Sequence, residues 1–591
     1  MGFHARLASG TMIAVLAAVA STGCGGGSAP PPGSAGTTGS GDAAFDALVS
    51  EVLTDEYSRS PTSSTDLGIH QFDSQLEDYS RAGVDSAMAA ARGFKTRLEA
   101  VDQVTLSPAK QLDRELVIHA LDSRILLGTE VKGWAKDPDS YSSGITNTAY
   151  VMFKRQFAPP EDRLRALIAR ERKMPAALDE ARKNLENPPR IYTEIAIDQL
   201  DGDIDLFKSA VPEAFAVVKD AALLKDFTTA NAAVIQALTA YKAWLQKDLL
   251  PRSKGEFAYG ADLYHRRLVA DEMVDTPLDE LLRIAEADLH KNQAAFAETA
   301  KRIDPKKTPM EVQASIELDH PPAGKLLDAT QATLDAIGKF LVDRQIITVP
   351  SAAQARVKET PPFMRATTFA SMDTPGPFET HATEAFYNVT LPDPAWSAKE
   401  TEDYMRGWYY ALISNVSVHE AWPGHYLQFL YAKGFPSDVR KVFGANSNIE
   451  GWAHYCEQMV IDEGFHADDP KYRLAQLQDA LLRDSRFIVG IRMHTQGMTM
   501  AQAEEFFQKE GYQVAPVARS ETKRGTNDAT YGYYTMGKLM ILKLRDDYKA
   551  HQAATGGTYS LQGFHDAFIK LGPLQLPLMR KALLGDVGSI F

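Results

Sequence analysis

Cysteine is almost absent: only Cys24 and Cys456 occur in 591 residues. Two cysteines cannot build a disulfide framework or a four-cysteine zinc site, so both are excluded. Basic charge is also short. With 63 lysines and arginines against 77 acidic residues, the formal net charge is -14. A field of that sign repels a phosphate backbone, and no basic run interleaved with aromatics offsets it, so nucleic acid is not an expected partner. No repeat of fixed period is evident. What is present is ordinary: 44% hydrophobic and 24% charged residues, the composition of a soluble globular chain with a large core.

The first cysteine has its own context. Arg6 gives a sparse positive start, and Met12–Ala20 (MIAVLAAVA) is an apolar stretch too short to be a comfortable membrane span. Ser21-Thr22-Gly23-Cys24 follows at once, an order that resembles a bacterial lipoprotein signal. Residues 1–23 are therefore expected to be removed and Cys24 lipidated; the alternative is a plain secretory signal with an incidental cysteine. Residues 24–42 are rich in Gly, Pro and Ser and read as a tether. The mature protein would then be exported and held on a membrane at the periplasm or cell surface without spanning it.

Residues 43–591 are expected to form one mainly α-helical unit. From 43 to 345 helical spacing prevails, as in Asp162–Leu185 and Pro277–Ile303. Between 346 and 395 prolines crowd in and Ala385–Thr390 (AFYNVT) favours strand, which predicts a small sheet. From 396 to 591 long helical patterns return. Ser397 with Glu400 is a capping-box signature, and the apolar stripe that follows predicts one helix running inward from there through His419 and Glu420.

That stripe leads into HEAWPGH, residues 419–425. Two histidines at i and i+4 lie about 40° apart around a helix and can share a metal ion, whereas an interval of six puts them about 240° apart. Pro423 lacks an N–H and clashes with the preceding turn, and Gly424 tolerates unusual backbone geometry. The pair marks where the helix should break and loop out two residues, carrying His425 back to where i+4 falls. Glu420 would then lean over the open side of a metal as general base. The competing reading is a kinked helix with two hydrogen-bonded histidines and a surface glutamate.

A third ligand is required, and Glu450–Glu457 (EGWAHYCE) offers Glu450, His454 and Glu457 on one helical face. Spacing alone does not rank them: one could bind metal and another orient His419 or His425 from behind. Cys456 beside them reads as buried filler.

HEAWPGHYLQ followed by EGWAHYCEQ resembles the bacterial family known as domain of unknown function 885. Further blocks agree: TDLGIHQFDSQLEDYS at Thr65–Ser80, RDSRFIVGIRMHTQGMT at Arg483–Thr499 and YTMG at Tyr534–Gly537. The resemblance implies a helical zinc-peptidase-like fold with a small sheet beside the catalytic helices. It also implies His419, His425 and Glu450 as ligands of one zinc ion, Glu420 as base and Glu457 behind the ligands. Gly490, Arg492, Met498 and Asp528-Ala529-Thr530 depart from the family pattern, which bears on substrate preference and not on the metal centre.

The expected reaction is hydrolysis of a peptide bond, of carboxypeptidase or oligopeptidase type. Tyr534, its neighbour Tyr531 and His494 are candidate donors to the oxyanion, Arg486 and Arg524 candidate partners of a substrate carboxylate, and Ala385–Thr390 a candidate backbone guide for an extended peptide. Two other readings compete: a peptide- or partner-binding lipoprotein with a structural metal, and a zinc hydrolase of another amide. Glu420 favours an enzyme, because a structural zinc has no use for a base beside an open position.

Overall fold

A computed structural model describes residues 39–350, 355–360, 365 and 368–591. Cys24 and most of the Gly/Pro/Ser segment lie outside the described residues. The end of that segment already belongs to the fold: helix α1 (Asp42–Arg59) starts inside it. Asp42 is buried, its carboxylate accepting hydrogen bonds from the Ser107 and Gly39 amides.

The molecule is mainly α-helical with one small sheet. Pro277–Ile303 forms a single helix, α2 (Leu278–Ile303). Asp162–Leu185 divides in two, Pro160–Glu171 and Met174–Asn184, because Pro175 sits in the first turn of the second helix, where its missing N–H is harmless. Side chains between Tyr141 and Leu249 enclose a core of their own. The rest of the chain surrounds a larger one, reaching from Phe45 through Trp408 and Trp452 to Met579. Among the described residues, no helix is long and apolar enough to cross a membrane.

Helix α3 (Leu326–Asp343) precedes the sheet of β1 (Ala355–Glu359), β2 (Ala370–Asp373) and β3 (Ala385–Val389), ordered β1-β3-β2. β3 runs parallel to β1 and antiparallel to β2, with Tyr387 opposite Met372. The predicted strand is thus the central one. Its backbone groups are committed on both sides, so the expectation that it guides a peptide is corrected. Of the sheet's outer edges, β1 faces α3, where Gln331 accepts the Val357 amide.

The helix expected from Ser397 through His419 is two helices. The capping box forms and starts Ala398–Met405 as predicted, but the chain turns at 406–409 and α4 begins afresh (Tyr410–Glu420). Tertiary packing causes the break. Trp408 is fully buried with its ring stacked on Phe369 at 3.8 Å, and the Tyr410 amide bonds the Asp319 carbonyl instead of a helical partner. A straight helix would hold neither contact.

Candidate metal centre

Helix α4 ends on His419 and Glu420, and α5 (His425–Ala432) starts on the second histidine. Between them the hydrogen-bond ladder skips two places. The Gly424 amide bonds the Val418 carbonyl and the Leu427 amide the Ala421 carbonyl, each spanning six residues where a regular helix spans four. The predicted two-residue bulge is therefore present, and the imidazole centroids lie 4.7 Å apart. Gly424 serves by lacking a side chain: a Cβ there would collide with the His419 carbonyl.

Helix α6 (Asn446–Asp462) supplies the carboxylate. Glu450 Oε2 lies 3.4 Å from His419 Nε2 and 3.3 Å from His425 Nε2, and the three ligand atoms fall within 4.8 Å of one another. Oε2 is buried, and neither nitrogen meets it in hydrogen-bond geometry, so the separations are not those of ordinary bonds. Ligands at 2.0–2.2 Å around a tetrahedral zinc are about 3.3–3.6 Å apart, and the two separations from Glu450 Oε2 fall in that range. Two imidazoles and one carboxylate are also a donor set that zinc accepts, so these residues fit the ion.

The supporting shell is dense. Glu457 Oε1 accepts from His419 Nδ1 at 2.6 Å, which turns Nε2 toward Glu450 as the nitrogen that would bind a metal. Burial alone would depress the His419 pKa, but Glu450 and Glu457 overcome it and push it up to about 9. Burial would raise Glu457; Arg483, 3.0 Å away, holds it well below the usual carboxylate range. Asn415 donates to Glu457 and to Asp479. His454, which spacing left as a rival ligand, turns away and bonds the other oxygen of Glu457. Cys456 is buried and outside the cluster. His425 Nδ1 is buried without a partner among the described residues.

Glu420 is nearly buried and has no hydrogen-bond or ion-pair partner among the described residues, so its carboxylate is uncommitted. Helix α7 (Pro470–Thr495) carries Arg483 and Arg486, α8 (Ala515–Asn527) carries Arg524, and α9 (Tyr533–Thr555) carries Tyr534. The Tyr534 ring stacks 6.3 Å from that of His419, and the three guanidinium groups surround it at 5.0–5.7 Å. Burial, and Glu450 beside it, raise the Tyr534 pKa, so the phenol keeps its proton. Tyr533 differs, because its own proton goes to Asp528.

Other expected residues stand elsewhere. His494 lies on α7 eleven residues beyond Arg483, about 16 Å along the helix axis. It packs between Phe257 and Tyr259 and donates to the Gly525 carbonyl at 2.8 Å, so it takes no place at the centre. Tyr531 is fully buried, with the Gly525 backbone against its hydroxyl and without a ring contact to the histidines. Arg486 is locked to Glu521 by two bonds of 2.7 Å, and Arg524 pairs with Asp528 while reaching the Tyr534 hydroxyl.

Four contributors escape a reading by motif. Arg483 and Arg486 sit three residues apart on one face, so spacing cannot say which reaches His419. Gly451 and Gly537 meet where α6 crosses α9, and a Cβ on Gly537 would strike the Ser447 carbonyl. That close crossing brings Glu450 and Tyr534 to one site. Trp452 donates its indole N–H to the Pro423 carbonyl at 2.9 Å.

Chain comparisons agree with this architecture. Residues 61–583 match the model of the family described as bacterial protein of unknown function, DUF885, and the chain belongs to that family. Two solved structures share the fold. One, described as a "putative lipoprotein of unknown function" from Shewanella oneidensis, is 25% identical with a TM-score of 0.77, covering 91% of this chain and 99% of its own. The other, a "putative lipoprotein" from Colwellia psychrerythraea, is 18% identical with a TM-score of 0.78, covering 92% and 99%. No functionally curated protein matches.

Proposed function

We infer that the protein is a zinc-dependent peptidase. The observation that carries this reading is the convergence of His419 Nε2, His425 Nε2 and Glu450 Oε2 within 4.8 Å of one another, with Glu420, next in sequence to His419, left without a hydrogen-bond or ion-pair partner among the described residues. A zinc ion held there would supply Lewis acidity, activating water and a substrate carbonyl. The chain's own groups do the rest. Glu420 takes a proton from the attacking water as its oxygen bonds to the carbonyl carbon, and returns it to the amine as the C–N bond breaks. Tyr534 has no acceptor for its hydroxyl proton among the described residues and donates it to the developing oxyanion. Glu457 keeps His419 in one tautomer throughout.

The test pairs metal analysis with turnover of a mixed peptide library. Glu420→Gln should bind zinc as the wild type does and cleave about 100- to 10,000-fold more slowly. Equal turnover by the two proteins removes the mechanism, and bound zinc without turnover in the wild type favours a binding protein.

The neighbours' description as lipoproteins supports an anchor at Cys24 after export. Cys24→Ser should move the protein from the membrane to the soluble fraction, and unchanged fractionation would remove the anchor.

A further inference from the structure

The bulge between the two histidines leaves backbone carbonyls without their helical partners, that of Pro423 among them. In a regular helix the Leu427 amide would bond the Pro423 carbonyl; here it bonds Ala421. Pro423 is buried, and a buried carbonyl left unpaired is costly. Its hydrogen bond comes from another helix: the Trp452 indole N–H donates to it at 2.9 Å. The indole does not depend on that bond for its place. It is fully buried, stacked on Phe568 at 5.1 Å and edge-on to His565 at 5.4 Å, so it presents the N–H from a fixed position. Trp452 stands two residues after Glu450 on α6.

We propose that Trp452 is a positioning residue of the metal centre: its indole N–H clasps the bulge at Pro423 and so sets the separation of His419 and His425 relative to Glu450. The inference rests on the zinc reading above. One helix thereby fixes the third ligand at Glu450, the crossing with α9 at Gly451, the bulge at Trp452 and the His419 tautomer at Glu457. Loss of the N–H frees the bulge to seek another partner for Pro423, and His425, two residues on, moves with it.

Trp452→Phe keeps an aromatic ring and removes the donor. Tyr455→Phe is the control, since it removes another buried hydrogen bond of the same helix, that from the Tyr455 hydroxyl to His565, away from the bulge. Zinc affinity is measured by chelator competition, and ligand geometry by the visible spectrum of the cobalt-substituted protein. Trp452→Phe should bind zinc about tenfold more weakly or worse and alter the cobalt spectrum, while Tyr455→Phe matches the wild type in both. Wild-type affinity and spectrum in Trp452→Phe overturn the proposal and leave the zinc reading standing, and equal weakening by both variants also overturns it. A wild type that binds no zinc sinks the underlying reading and the proposal together. If Trp452→Phe does not fold, benzothienylalanine at position 452, the same bicycle with sulfur for N–H, gives the same readouts.

Discussion

His419 carries two duties on its two nitrogens, and Glu457 is what separates them. The carboxylate is buried and receives bonds from His419, Arg483, Asn415 and His454, so its position is fixed from four sides. Glu457→Gln keeps the shape and removes the charge that raises the basicity of the ring. Zinc affinity should fall about 10- to 100-fold in chelator competition; an unchanged affinity would mean that His419 needs no such support. The sequence states part of this arrangement outright. HEAWPGH names both histidines and Glu420, the base of the proposed reaction, because proline and glycine between the histidines let them converge. It leaves Glu450, His454 and Glu457 undivided, because all three share a helical face and the choice depends on where α4 and α7 lie against it. Tyr534 can be read from its block, whereas the block that holds Arg483 also holds His494, which α7 carries three turns away from the centre.

The same limit operates on whole elements. The small sheet and the capped start at Ser397 follow from local chemistry, since β-branched and aromatic residues and a Ser–Glu pair act over a few positions. The break at 406–409 does not, because it is imposed by Trp408 stacking on Phe369, the residue just before β2. His70 shows another long-range tie. It lies between Asp73 at 3.1 Å and Glu379 at 3.2 Å, pinning the segment that joins β2 to β3. Burial alone would depress its pKa, but the two carboxylates push it up to about 9, while burial opposes and His70 helps pull Glu379 down to about 2. A raised histidine stabilises fully below its unfolded value of 6.5, and that share is lost as pH rises through 9. The Glu379 share is present above 4.5 and lost as pH falls through 2. His70→Ala should therefore flatten the decline of unfolding free energy between pH 6.5 and 9, by at most about 3 kcal/mol. Buried Glu171 and Glu272, raised to about 9 and 8, add their own decline there and are untouched by the substitution. Parallel wild-type and variant curves in denaturant titrations across that range would refute the role.

The two cores divide the molecule unevenly, and the candidate metal centre belongs to one of them. His419, His425 and Glu450 stand on elements of the larger core, and residues 141–249 contribute nothing to the cluster. Side chains tie the smaller core to the rest: among them Arg170 donates to Thr65 and Pro61, Arg155 pairs with Asp373, Tyr192 donates to the Thr526 carbonyl, Thr148 bonds Thr62, and His70 stacks on Phe157. A chain of this size with two packed interiors is expected to unfold in more than one step. An ion that binds only the folded site stabilises the unit holding it by RT ln(1 + [Zn]/Kd), about 4 kcal/mol at a thousandfold excess over Kd. Calorimetry should then show two transitions, of which a chelator lowers only the larger by several degrees and added zinc restores it. A shift shared equally by both transitions would mean that contacts such as those of Arg170, Arg155, Tyr192 and Thr148 weld the cores into one cooperative unit. If neither moves, the three ligand atoms hold no ion in solution, and the chemistry assigned to Glu420 and Tyr534 falls with it.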